Sequence, residues 1–190
     1  SPGLLGKRES WTDYSLASIS FGHEIAVTPL QMVAALSAIA NGGTLMEPHI
    51  TKALMRDGKV VEQIKPKKIR RVISKKTSQQ MMEILKFVVK NGTGKNAAVE
   101  GFDVAGKTGT AQKYITKTKS YSKTEFVSSF IGYAPADAPR LVILVMIDNP
   151  KGVHWGSVVA APVFREIAKK SLRYLNVPSS KERVFILDRA

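Results

Sequence analysis

Residues 100–113, EGFDVAGKTGTAQK, admit two incompatible readings. From Gly101 they spell G-x-x-x-x-G-K-T, the pattern of a phosphate-cradling loop. That loop needs a buried strand before it and a helix directly after the Lys-Thr pair. From Lys107 they spell K-T-G-T, an extended segment carrying a lysine, two hydroxyls and a glycine. The flanking residues decide between two different folds.

The phosphate reading has one point in its favour. LVILVMID at 141–148 resembles the apolar strand whose terminal acid holds Mg²⁺ in such proteins. Its immediate context fails. GTGKNAAVE, residues 92–100, contains no buried strand, and GTAQKYITKTKS, residues 109–120, has no 3.6-residue apolar stripe. Gly109 and the threonines at 108, 110, 116 and 118 make that stretch a poor helix and a reasonable strand. The Gly101 match is incidental, and no saturable, Mg²⁺-dependent nucleotide binding is expected.

Working outward, FVSSFIGYAP is a β-branched and aromatic strand, and RLVILVMIDNP is almost continuously apolar, as for a strand buried on both faces. Pro135 to Pro139 is a hairpin-length link, so the two should pair antiparallel. Upstream, Thr28-Pro29 starts a helix over LQMVAALSAIA that is apolar almost all round and therefore expected to be buried; Asn41-Gly42-Gly43 ends it. Asp57-Gly58 marks a tight hairpin turn into KVVEQI. A second helix is expected from Ser78 to Lys90, with Met81, Met82, Leu85, Val88 and Val89 on one stripe. A last helix spans Val158 to Leu175, with Phe164, Ile167, Ala168, Leu172 and Leu175 on its inner face. KPKKIRR at 65–71 and KTKSYSK at 117–123 read as exposed connections. The expected fold class is α/β (α+β): a mainly antiparallel sheet containing residues 103–113, 126–134 and 140–148, flanked by helices. Residues 1–178 form that unit and residues 179–190 a C-terminal tail.

Composition narrows the classes. The 190 residues are 44% hydrophobic and 7% aromatic, ordinary values for a chain with a core. With no cysteine there are no disulfides, and His23, His49 and His154 lack the spacing of metal-ligand pairs, so no metal is expected. Lysine plus arginine outnumber acids 29 to 15, a net charge of +14. The charges are spread rather than striped and lack interleaved aromatics, so they read as a solvated surface, not a nucleic-acid site. The longest apolar run, Leu141 to Ile147, is far short of the ~20 residues that span a bilayer.

As a strand, K-T-G-T has a definite chemistry. A peptide or lactam can lie along its edge through main-chain hydrogen bonds. Gly109 lets the substrate backbone approach closely. Lys107 supplies positive charge, the hydroxyls of Thr108 and Thr110 can bond a terminal carboxylate, and the Thr110 backbone N–H is placed to stabilise an oxyanion. The motif is one of three shared by penicillin-binding proteins and class A β-lactamases.

The segments SISFGHEIAVTPLQMVAALSAIANGGTLMEPHI, AGKTGTAQK, FVSSFIGYAPADAPRLVILVMIDNP and GSVVAAPVFREIAKK occur in that order. Together, from Ser15 to Pro178, they resemble the C-terminal half of the transpeptidase domain of class B (monofunctional) penicillin-binding proteins, with the partial serine β-lactamase-like fold. The resemblance implies a peptidoglycan D,D-transpeptidase of the division or sporulation type. A serine attacks the penultimate D-alanine carbonyl of a stem peptide, D-alanine leaves, and an acceptor amine resolves the acyl-enzyme. It also implies β-lactam binding, no cofactor, and an N-terminal membrane helix that holds the domain on the extracytoplasmic face of the bacterial cytoplasmic membrane. By motif, Lys107 and Thr110 carry catalysis, and Lys107, Thr108, Gly109 and Thr110 bind substrate.

Two further motifs of that family, S-x-x-K with the nucleophile and S-x-N, belong upstream of K-T-G. No S-x-N occurs here, and the one S-x-x-K, Ser120 to Lys123, lies downstream in a lysine-rich connection. No nucleophile is therefore assigned, and the chain reads as beginning after both motifs. Apolar faces such as Leu30 to Ile39 would then lack their cover, favouring self-association or pairing with the missing half. A non-catalytic β-lactam sensor of the same fold is the alternative; it would carry an intact S-x-x-K upstream and an attached signalling region.

Overall fold

The structure is a computed structural model, and it describes residues 2–20, 22–118 and 120–180. Its centre is a three-stranded antiparallel sheet: β7 (Ala105–Ile115), β8 (Ser120–Ala134) and β9 (Leu141–Asp148), in the order β7-β8-β9. The register runs from Ala105↔Tyr133 through Gly109↔Ser129 to Gln112↔Phe126, with a shift before Tyr114↔Tyr121. Ala134↔Leu141 through Val127↔Asp148 closes the second hairpin. Since neighbouring residues of a strand face opposite ways, Phe130 and Ile131 serve two different cores. On one face Phe130 packs with Phe164, Ala168 and Leu172 of α5 (Ala161–Tyr174), preceded by the short α4 (Gly156–Val159). On the other, Ile131, Ala105 and Tyr133 pack with Leu36 of α2 (Pro29–Ala40) and Leu85 of α3 (Lys75–Lys90). The Phe130 and Phe164 rings meet edge to face with centroids 4.7 Å apart, a geometry that stabilises beyond the area it buries.

The helix ends follow their local chemistry. The Thr28 hydroxyl accepts from the Gln31 N–H at 3.2 Å while Gln31 Oε1 accepts from the Thr28 N–H at 2.8 Å, a complete capping box with Pro29 in the first turn. Ser74 caps α3, accepting from the Thr77 N–H at 3.0 Å, so the helix starts three residues before the expected Ser78. The last helical segment divides at Ala160 into α4 and α5.

Strands β3 (Thr44–Met46) and β6 (Lys68–Arg71) pair antiparallel, as do β4 (Ala53–Arg56) and β5 (Lys59–Gln63). Asp57 and Gly58 both take positive φ, 51° and 74°, as the expected tight turn requires. The short β1 (Leu4–Leu5) pairs with β2 (Ile25–Ala26), and α1 (Ser15–Ser20) lies between them.

Several expectations change. Lys68–Arg71 is a strand, though an exposed one, because its backbone is paired by Thr44–Met46. The lysine-rich 117–123 stretch does not stay a loop either: from Ser120 it belongs to β8. Strand β9 is only half-buried, with Met146 43% exposed, because it forms a sheet edge and has β8 on one side alone. Helix α2 is not fully buried: Leu36 and Ala38 are, while Leu30 is 60% exposed. This uncovered face is the one expected to lack its cover. The tail residues 181–190 lie outside the described residues.

Tyr133 is buried to 1% exposure and its hydroxyl finds no hydrogen-bond partner among the described residues. Burial, aided by the nearby Glu83 carboxylate, pushes the phenol up to about 12 from 10.0. Tyr133→Phe is expected to leave stability at neutral pH unchanged or raise it by about 1 kcal/mol, since an unsatisfied buried group is removed. The sign with pH follows from the raised value. The neutral phenol's contribution is intact below pH 10.0 and is lost as pH rises towards 12, because the unfolded chain ionises first. Melting curves from pH 9 to 11.5 should show this loss in the wild type and less of it in Tyr133→Phe.

Candidate active site

Lys107, Thr108, Gly109 and Thr110 sit midway along β7, and the structure brings all four onto one strand at the edge of the sheet. The strand continues unbroken to Ile115 where a phosphate loop would require a helix. Before it, Val99 and Phe102 make only an isolated bridge where a buried strand would be needed. The geometry excludes the Gly101 reading.

Two neighbouring turns hold the motif's hydroxyls. After α3, the Asn91-Gly-Thr-Gly94 turn places Thr93 Oγ1 2.9 Å from Thr108 Oγ1. At the start of α4, the Gly156 N–H donates to Thr110 Oγ1 at 3.1 Å. Each hydroxyl keeps further hydrogen-bonding capacity for a ligand. Lys107 is exposed; its ammonium donates to the Thr108 carbonyl at 2.9 Å, and no carboxylate pairs with it among the described residues. Farther along the strand Lys113 does pair, at 2.9 Å with Asp148, and the hydrogen bond to that carboxylate raises its pKa. The charge available at the motif is therefore that of Lys107.

Glycine is needed at two points. A side chain at Gly109 would bring its Cβ to 2.5 Å from Ser129 Oγ, on the paired strand. At Gly156 a Cβ would run into the carbonyl oxygens of Gly109 and Ser129, so the first turn of α4 rests directly on the β7–β8 ladder. The segment leading to it forms a rim. His154 stacks on Phe126 with ring centroids 4.0 Å apart and planes 8° from parallel, and its carbonyl accepts from the buried Ser128 hydroxyl. Trp155 follows at 4.7 Å from His154 and is 57% exposed.

Thr93, His154, Trp155 and Gly156 escape reasoning from sequence. The one local signal is glycine placement: Gly92 and Gly94 flank Thr93, and Gly156 follows an aromatic pair. Nothing local says which strand those turns will touch. The lone S-x-x-K, Ser120 to Lys123, lies where the β7–β8 register shifts, and Ser120 Oγ lies 2.8 Å from Thr118 Oγ1. Among the described residues no cluster of three or more His, Asp or Glu could hold a metal, and no helix is long and apolar enough to cross a membrane.

This arrangement can take an extended peptide or lactam along the strand edge, with the positioned hydroxyls of Thr108 and Thr110 on one face of the strand and the Lys107 cation rooted on the other. The model of the penicillin-binding protein transpeptidase domain matches residues 2–169. Stage V sporulation protein D of Bacillus subtilis is 44% identical over 96% of this chain, which covers 28% of that protein. The penicillin-binding protein PbpB of Mycolicibacterium smegmatis is 39% identical over 96% of the chain and 30% of its own length. Among solved structures, penicillin-binding protein 3 of Mycobacterium tuberculosis in complex with aztreonam superposes with a TM-score of 0.84 at 37% identity, over 95% of this chain and 42% of that one. The chain thus spans under a third of these two relatives' sequences. The fold, the K-T-G-T edge strand and these matches place the chain in the penicillin-binding protein transpeptidase family, of whose domain it forms a part.

Proposed function

We propose that this chain is the substrate-binding wall of a peptidoglycan D,D-transpeptidase, and that its parent protein cross-links stem peptides through a serine acyl-enzyme and is acylated by β-lactams. The observation that carries the reading is the free edge at Lys107 to Thr110, with the Thr108 and Thr110 hydroxyls fixed by neighbouring turns. Lys107 attracts and orients the ligand's carboxylate, to which Thr108 and Thr110 hydrogen-bond. Gly109 allows main-chain approach, and the Thr110 N–H is the oxyanion donor. Aztreonam bound to the M. tuberculosis homologue supports the β-lactam assignment. The reaction is acyl transfer by a serine and needs no cofactor. The domain works on the extracytoplasmic face of the cytoplasmic membrane, anchored by a segment of the parent.

The nucleophile is assigned to the parent outside these residues, since the one S-x-x-K lies in strand β8 and Ser120 Oγ is engaged by Thr118 Oγ1. Intact-mass measurement after incubation with penicillin tests both halves of the proposal. One acyl adduct is expected on the parent protein and none on this polypeptide. A stable adduct on this chain would overturn the missing-nucleophile assignment, and a parent that takes none would overturn the enzyme assignment.

A further inference from the structure

The turn after α3 reaches both sides of the candidate site. Thr93 contacts Thr108, and three residues later Asn96 Nδ2 donates to the Ser157 carbonyl at 2.8 Å. Ser157 directly follows Gly156, whose N–H holds the Thr110 hydroxyl. Helix α4 is a single turn, and Trp155 at its N-cap makes no side-chain capping bond. Its first N–H, that of Gly156, is held by Thr110 Oγ1, so what a further contact adds is a tether on a carbonyl of this turn. Asn96 is well placed to supply it: it lies in a 3-10 turn, Lys95–Ala97, whose end is fixed by the fully buried Ala97. The Ala97 N–H also bonds to the Gly94 carbonyl at 2.9 Å, and the Gly94 N–H to that of Val88 at 3.0 Å.

Resting on the transpeptidase reading, we infer that Asn96 is a positioning residue of the site, tethering the α4 start so that Gly156 holds Thr110 in its ligand-binding rotamer. The Thr110 hydroxyl has one proton and two lone pairs. With one lone pair engaged by Gly156, the proton is left to be donated to a ligand oxygen. When the tether is removed, Gly156 drifts and Thr110 loses its fixed orientation, while the strand itself stays paired with β8.

The test uses the parent protein with Asn96→Ala and Asn96→Asp, read by residue-resolved amide exchange and by penicillin acylation kinetics. Loss of one ordinary hydrogen bond should speed exchange at Gly156 by about threefold to tenfold, leaving β8 and α5 amides unchanged. The acylation rate at saturating penicillin should fall by a similar factor. Asn96→Asp should be worse than Asn96→Ala, because a carboxylate would then face the Ser157 carbonyl. Unchanged Gly156 exchange overturns the tether. So does a uniform rise at all amides with a lower melting temperature, which marks a merely structural role. Faster exchange with unaltered acylation overturns the functional link. A wild-type parent that penicillin does not acylate defeats the transpeptidase reading instead, and Gly156 exchange still decides whether the tether exists.

Discussion

Gly156→Ala in the parent protein is expected to abolish most β-lactam acylation and to destabilise the domain by about 1–3 kcal/mol, the usual cost of forcing extra volume into a packed site. The atoms that a new Cβ meets are the carbonyl oxygens of Gly109 and Ser129. Both belong to main chain of the β7–β8 ladder, where Gly109 and Ser129 are register partners. Neither can yield as a flexible side chain would, so the helix start must lift away. That movement breaks the Gly156 N–H bond to Thr110 and shifts the His154–Trp155 rim, so one methyl group disturbs recognition and the local fold together. Thermal unfolding and acylation rates should be measured in parallel. A variant with wild-type acylation and melting temperature would contradict the close packing of α4 on the motif strand.

Gly109→Ala is a useful contrast. Its Cβ would meet a hydroxyl, Ser129 Oγ, which can rotate, so its structural cost is smaller. What it loses is the smooth edge over which a ligand backbone passes.

The sheet and the motif strand were readable because their signals are local. Alternation in FVSSFIGYA and the apolar run LVILVMID, with a short proline-bounded link between them, specify an antiparallel hairpin whatever surrounds it. Asp57-Gly58 and Thr28-Pro29 specify their turn and helix start for the same reason. Where reading failed, the missing information was tertiary. The basic run at 68–71 becomes a strand because Thr44–Met46 pairs with it, and pairing partners leave no mark on a lysine-rich sequence. Strand β9 looks buried on both faces from composition, but its exposure is set by its place at the edge. The site divides in the same way. Lys107 to Thr110 form a contiguous motif, whereas Thr93, Asn96 and Gly156 reach it from turns that are distant in sequence.

The other large effect belongs to Lys107. Lys107→Ala in the parent is expected to lower acylation efficiency by about 10- to 100-fold, as a hydrogen bond to a charged group contributes about 1.5–3 kcal/mol. Stability should hardly move, because the side chain is exposed and its ammonium bonds the adjacent Thr108 carbonyl. This split between activity and stability sets Lys107 apart from Gly156. Lys107→Arg is the discriminating companion. It keeps the charge but replaces a compact ammonium with a wide planar fork, which cannot occupy the same point beside Thr108. If Lys107 acts only through long-range attraction, Lys107→Arg restores acylation and the loss in Lys107→Ala shrinks as salt rises. If it acts through a placed hydrogen bond, Lys107→Arg stays impaired at every ionic strength. The second result is expected, because a single strand carries the cation, both hydroxyls and the glycine in a fixed register, leaving a ligand little freedom to meet a displaced charge.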